Sequence, residues 1–277
     1  MQSKKDMSEQ PIWKRYLQLP FVQGPLLGAG VMTLVTPGLN WTNHVLNGKT
    51  MQLRFAMSGS FEYASSAIPS YAVVFVLKRL MQPESQQVSP LYEFATSFTA
   101  GAFSGLASTP FEGIAQNKQL AKLPSSRETR QKIIEHNGYR ALFQGGGSIM
   151  MREGLWSTVY LTAIPTLAQY FQSKGIKKEQ AEGMALVLTA GSYGFFSTPL
   201  YQLRFRKQQG LTEPVTEKSY LQHAKAIWNQ PSTGGAVQRL GFFFKGAIPR
   251  TITTTIAGAL LYKGQEVLQE LIKPSKS

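Results

Sequence analysis

The stretch GLASTPFEGIAQ, residues 105–116, passes from small apolar residues to polar ones across a Thr-Pro pair. The same passage occurs at Thr36-Pro37 and at Thr198-Pro199, so three apolar, glycine-containing runs end in Thr-Pro. Pro37 and Pro110 are 73 residues apart and Pro110 and Pro199 are 89 apart. That spacing divides the chain into three related units of roughly 90 residues, and repetition at such a period outweighs any shorter motif as evidence of fold. A proline inside a helix removes a backbone donor and clashes with the preceding turn. Pro37, Pro110 and Pro199 are therefore expected at equivalent helix kinks.

No Pro/Ser/Gly linker separates the units, so the 277 residues are read as a single body with repeats at about 20–88, 89–178 and 179–273. Formal net charge is +14 with only 16% charged residues, an excess that comes from scarce acids. Such a balance suits anionic solutes or anionic lipid. Nucleic acid is the weaker partner, because no zinc-ligand spacing and no Lys/Arg stripe with interleaved aromatics occurs. The chain has no cysteine, which excludes disulfide and thiol chemistry. The start, MQSKKDMSEQPIWKRY, has no apolar core and carries acids, so targeting information is expected inside the mature chain.

Six segments are long enough to cross a bilayer: 21–43, 61–80, 91–116, 148–171, 182–203 and 248–268. Their charges lie near the ends, apart from Arg152 and Glu153 early in the fourth. Mean hydropathy is low, at −0.15. Ser, Thr, Gly and Asn are mixed with the apolar residues, as in helices that face lipid on one side and a wet cavity on the other.

Downstream of each Thr-Pro a second pattern repeats. It reads Met57-Ser58-Gly59 in the first unit, Phe143-Gln144-Gly145 in the second and Phe244-Lys245-Gly246 in the third. Ten residues beyond each glycine lie Pro69, Leu155 and Ile256, and six further lie Phe75, Leu161 and Tyr262.

In these paired patterns the chain resembles the mitochondrial carrier family over about residues 20–272. The resemblance implies an all-α membrane protein of six transmembrane helices, in three pseudo-symmetric two-helix repeats with short matrix-side helices. In that family each odd helix ends in Pro-x-acid-x-x-base, and each acid pairs with the base of the next repeat to close the matrix side. The copies here depart from the pattern. Pro199-Leu-Tyr201-Gln-Leu-Arg204-Phe-Arg206 keeps the bases, Pro110-Phe-Glu112-Gly-Ile-Ala115 keeps the acid, and Pro37-Gly-Leu39-Asn-Trp-Thr42 keeps neither. Only Glu112 with Arg204 is left to form the bridge, so a weak matrix gate of Glu112, Arg204 and Arg206 is expected. Proline-to-glycine connectors of 22, 35 and 47 residues leave room for matrix helices at 127–136 and 218–228, and for a turn at most in the first unit.

The resemblance also implies solute contacts one turn before the even-helix proline position, at Ser66, Arg152 and Thr253. Arginine donates two hydrogen bonds to a carboxylate or phosphate. Arg152 either meets the solute or sits at an interfacial helix end against Glu153 or a lipid headgroup. Trp156 and Tyr160 follow Arg152 at intervals of four, on one helical face. Trp156 and Ser197 match the family's adenine-binding positions, and an aromatic belt of Trp156 and Tyr160 at the membrane interface is the competing reading. The resemblance implies amino-acid substrates for an Arg-acid pair in this place, here Arg152-Glu153, whereas the basic balance suits nucleotides. Gly59, Gly145, Lys245 and Gly246 match the family's cardiolipin-binding helix starts, which attract anions, and plain turn geometry is the competing reading.

Asn47-Gly48-Lys49-Thr50 lacks the first glycine of a phosphate loop. His44, His136 and His223 stand alone, so neither a metal nor a cofactor is expected, nor catalysis. The sequence therefore reads as a monomeric mitochondrial inner-membrane transporter of small anionic metabolites, adenine nucleotides (ATP or ADP) first and amino or keto acids second. A carrier-shaped adaptor that transports nothing is the rival. The degraded motifs fit a divergent member, of the kind an intracellular bacterium delivers to host mitochondria.

Overall fold

A computed structural model describes residues 19–81 and 89–272, and every described element is helical. The long helices are α1 (Pro20–Leu46), α2 (Ser60–Leu80), α3 (Pro90–Leu120), α5 (Gly146–Thr158), α6 (Ile164–Ser173), α7 (Lys178–Phe196) and α11 (Ala247–Ile272). The connector helices are α4 (Ser126–Asn137), α8 (Thr198–Gln208), α9 (Tyr220–Trp228) and α10 (Gly235–Phe242). Each long helix packs on its neighbour in chain order, and α11 returns to α1, so the helices close into a ring.

Local sequence sets the ends. Ser89 accepts from the Tyr92 amide with Pro90 at the first helical position, and Ser125 accepts from the Glu128 amide. Ser219 and Gln222 form a reciprocal capping box that starts α9. Helices α2, α5 and α11 instead follow glycines in the left-handed region, with φ of +83° at Gly59, +81° at Gly145 and +82° at Gly246.

Those three glycines make the same contact around the ring. A Cβ on Gly59 would lie 3.3 Å from Ala115, one on Gly145 would lie 3.4 Å from Arg204, and one on Gly246 would lie 3.6 Å from Thr42. Each partner stands five residues after a Thr-Pro proline, in the next unit along the chain or, for Thr42, back in the first. The loops before Gly59 and Gly246 are held alike: Asn40 Nδ2 donates to the Ala56 and Ser58 carbonyls, and Gln202 Nε2 to those of Phe242 and Lys245.

Two expected helices are broken. The fourth apolar run divides into α5, a π-helical turn at Val159–Ala163, and α6. Pro165 explains the division, because its ring and missing N–H leave the Leu161 carbonyl without its usual partner. The fifth run breaks at Ser197, and Pro199 opens α8 rather than bending one long helix. Pro37 and Pro110 lie within unbroken helices. The connectors follow the spacing argument: α4 and α9 occupy the two longer ones, and the first holds a short 3-10 turn at Leu53–Phe55.

Polarity is distributed inside out. Asn40, Asn43, Gln116, Asn117, Arg204 and Gln208 are buried at the centre, while Leu34, Ile68, Val187 and Ile248 are exposed on the outer helix faces. Among the described residues one helix, Val22–Leu46, is by itself long and apolar enough to cross a membrane. The inward-facing Ser, Thr and Gly dilute the apolar character of the others.

Candidate solute cavity and its closed end

The ring surrounds a cavity of about 580 Å³, lined from α1, α2, α3, α5, α7, α8 and α11. Its wall begins at Gln23, near the start of α1, and at Gln269, near the end of α11. It finishes on Glu112, Tyr201 and Arg204, beyond which the ends of α1, α3 and α8 meet.

Glu112 lies at the centre of that closed end. Arg204 Nη1 donates to Glu112 Oε2 at 2.6 Å, and Arg152 Nη2 donates to Glu112 Oε1 at 2.6 Å. Ser108 Oγ adds a third donor at 3.3 Å. Arg152 also donates from Nε to Glu153 Oε1 at 2.8 Å, and its carbonyl accepts from the Tyr193 hydroxyl at 3.0 Å. One buried carboxylate therefore binds two guanidinium groups, a geometry whose rupture is costly because it strands charge away from water.

The other seams close without a central charge pair. Tyr201, in the acid's place, donates to Asn43 Oδ1, and Asn43 Nδ2 donates to Gln119 Oε1 at 3.1 Å. Leu39 and Ala115 fill the remaining acid and base places with apolar groups. Farther out on the α2–α3 seam, Lys118 Nζ donates to Glu62 Oε1 at 2.8 Å, and Ser126 Oγ donates to the same oxygen. Glu62 is only 3% exposed. Side-chain amides complete the seal: Gln116 Nε2 reaches the Phe205 carbonyl, and Asn117 Nδ2 that of Gln208.

These contacts correct the expected gate. Arg204 meets Glu112, but Arg206 stands two residues farther along α8 and lines a separate hollow with Leu46, Asn47 and Lys245. Glu112 has a second cationic partner in Arg152, so Arg152 is committed to two carboxylates rather than left open to the cavity.

The other expected solute contacts are dispersed along the wall. Ser66 Oγ donates to the Tyr63 carbonyl and Thr253 Oγ1 to the Pro249 carbonyl, each within its own helix. Trp156 lies 6.1 Å from Tyr160 and 5.0 Å from Tyr193, ring centre to ring centre. Ser197 Oγ accepts from Arg250 Nε at 3.2 Å and Nη2 at 2.9 Å. Gly59, Gly145 and Gly246 begin helices on the closed side, with Lys245 exposed beside the last. No group of His, Asp and Glu among the described residues is disposed to hold a metal ion.

Residues 86–175, the segment carrying α3 to α6, match the family described as mitochondrial carrier protein. An uncharacterized mitochondrial carrier of Schizosaccharomyces pombe is 23% identical over 219 residues, covering 76% of this chain and 72% of that protein. The mitochondrial S-adenosylmethionine carrier protein of Xenopus tropicalis is 22% identical over 236 residues, covering 79% and 85%. Over these stretches the chain is similar to mitochondrial carriers.

Four further side chains, not singled out by the sequence, surround the cavity floor: Tyr63, Tyr193, Tyr201 and Arg250. The Tyr201 ring lies 4.3 Å from the Arg204 guanidinium, 4.4 Å from that of Arg250 and 5.8 Å from that of Arg152. The signal was present in the Pro249-Arg250 pair, one turn before the position reached by counting seven from Gly246.

Proposed function

We propose that this protein moves an adenine nucleotide across the mitochondrial inner membrane by alternating access, through a six-helix bundle built from three repeats. The observation that carries this reading is a cavity with excess positive charge beside stacked aromatic rings. Its lining includes Lys78, Arg152, Arg204 and Arg250 against Glu112 and Glu153, four cations less two acids, or +2. Trp156, Tyr160 and Tyr193 supply flat faces for a purine. Burial makes the cation excess costly unless an anion enters, so the site favours phosphate or carboxylate over a neutral solute.

In this reading the Glu112 bridge closes the matrix side while the cavity faces the other compartment. Opening separates Glu112 from Arg204 and closes the wall at the opposite end. Gly59, Gly145 and Gly246, with Lys245, seat cardiolipin headgroups on the outside of a monomer, where helix N-termini attract anions.

A second solute is favoured by one contact, the Arg152–Glu153 pair at 2.6 Å. Paired opposite charges suit the amino and carboxyl groups of an amino acid, and the S-adenosylmethionine carrier among the relatives is named for a solute that joins an amino acid to adenosine. Uptake into proteoliposomes decides between them. ATP, ADP or AMP entering faster than S-adenosylmethionine and aspartate supports the first reading. Uptake of aspartate or S-adenosylmethionine without any nucleotide replaces it by the second.

A further inference from the structure

We propose that Arg250 anchors the anionic group of the solute, a phosphate or a carboxylate, with Ser197 holding the guanidinium in place. This deepens the transport reading and rests on it. Each of the other cations in the cavity lining has a carboxylate partner. Lys78 pairs with Glu93, Arg152 with Glu112 and Glu153, and Arg204 with Glu112. Among the described residues Arg250 pairs with none: its polar partner is the Ser197 hydroxyl, and its charged neighbours are Arg152 and Arg204.

Arg250 is 4% exposed, on the cavity-facing side of α11. A buried guanidinium with like charges beside it is expensive to keep. The Tyr201 and Tyr193 rings, 4.4 and 5.8 Å away, offset part of that cost through their electron-rich faces. They do not neutralise it. Nη1 meets no acceptor among the described residues, and Nε and Nη2 share one hydroxyl oxygen, so the group keeps donors for an incoming oxyanion.

The surroundings fix the second half of the solute. Tyr193 lies under Arg250 and also packs on Trp156, at 5.0 Å between ring centres. A charged group on Arg250 therefore stands one aromatic ring away from the indole face. A solute with one dominant anionic group and one flat ring spans that distance. Arg152 does not serve in the same way, because an anion drawn to it competes with two carboxylates already in place.

The test is binding to the full chain in lipid nanodiscs, measured by calorimetry with ADP, AMP, adenosine, aspartate and S-adenosylmethionine. The wild type is expected to bind AMP at least about tenfold more tightly than adenosine, the affinity a charge-assisted contact adds. Arg250→Gln is expected to bring AMP to the adenosine level, and Arg250→Lys to retain part of the difference. AMP against aspartate tells which oxyanion the seat prefers. Equal affinity for AMP and adenosine without binding of aspartate or S-adenosylmethionine, unchanged binding of the preferred phosphate- or carboxylate-bearing solute in Arg250→Gln, or no binding by any of them overturns the proposal. If Arg250→Gln does not fold, the wild-type comparison of AMP with adenosine decides. Binding that depends on Arg250 in a protein that takes up none of these solutes would sink the transport reading and leave the anchor standing.

Discussion

Tyr201 donates its hydroxyl hydrogen to Asn43 Oδ1 at 2.8 Å, tying α8 to α1 across the floor of the cavity. The contact stands where the family pattern places an acid facing a base, and it joins the same two units without charge. Asn43 passes the connection on to Gln119 of α3, so one neutral chain of hydrogen bonds touches three helices. Tyr201→Phe keeps the ring and loses the bond, at a cost of about 1 kcal/mol. A lower unfolding temperature, with faster leak of a preloaded solute from proteoliposomes, is the expected result.

Glu112→Gln should be the most damaging change at the closed end. It leaves Arg204 buried with no carboxylate partner and Arg152 with Glu153 alone, and breaking such a cluster typically costs about 3–5 kcal/mol. Arg204→Ala removes one cation and leaves Glu112 with Arg152, so it should be milder. Thermal unfolding followed by tryptophan fluorescence ranks the two. Thiol-reactive dyes do not report on the wild type, which lacks cysteine.

Glu62 and Lys118 clasp α2 to α3 between the first two units, whose Leu39 and Ala115 form no ion pair. Lys118→Met strands a carboxylate that is 3% exposed. We expect greater solute leak than in the wild type and partial rescue by the double variant Glu62→Gln/Lys118→Met, because both charges are then gone. A double variant as leaky as the single would remove this clasp from the closure.

Two glycines separate tight from ordinary packing. A Cβ on Gly101 would fall 2.3 Å from the Glu153 carbonyl oxygen, whereas on Gly191 its nearest neighbour would be 3.6 Å away. Gly101→Ala forces α3 from α5 and should destabilise by about 1–3 kcal/mol. Gly191→Ala should leave the unfolding temperature near that of the wild type.

His223, on connector helix α9, has its imidazole pKa lowered below the ordinary 6.5, first by burial and then by Lys207, Arg206 and Lys218. The folded state thus resists the proton that the unfolded chain accepts. Stability is full above about pH 6.5 and falls as the medium is acidified toward the lowered folded value. His223→Asn should flatten that slope, as read from unfolding midpoints between pH 7.5 and 5.5.

Much of the scaffold was legible because it depends on residues with restricted backbones. The glycines at 59, 145 and 246 mark helix starts that other residues do not form easily, and of the three Thr-Pro pairs the one at Pro199 opens a helix. Glu112 and Arg204 were likewise readable from motif spacing. The partners of Arg152 were half hidden: Glu153 is adjacent, but Glu112 is 40 residues away on another helix, and nothing in either segment alone brings them together. Arg206 was misplaced because two residues along a helix turn a side chain by about 200°, away from the face that Arg204 shares with Glu112. Arg250 was overlooked because fixed-offset counting selected Thr253, while burial without a counter-charge is a property of the packed ring.

The π-helical turn at Val159–Ala163 shapes how the gene can drift. It holds one residue more than an α-turn would, so the extra residue is absorbed within one turn and the loss of one residue here would close an ordinary α-turn. Ile164, Ala168 and Phe171, which meet Ala185 and Leu186, would keep their face toward α7. Length is therefore less strictly constrained in this segment than in an unbroken helix, and lineages should be able to lose one residue here without losing the packing beyond it.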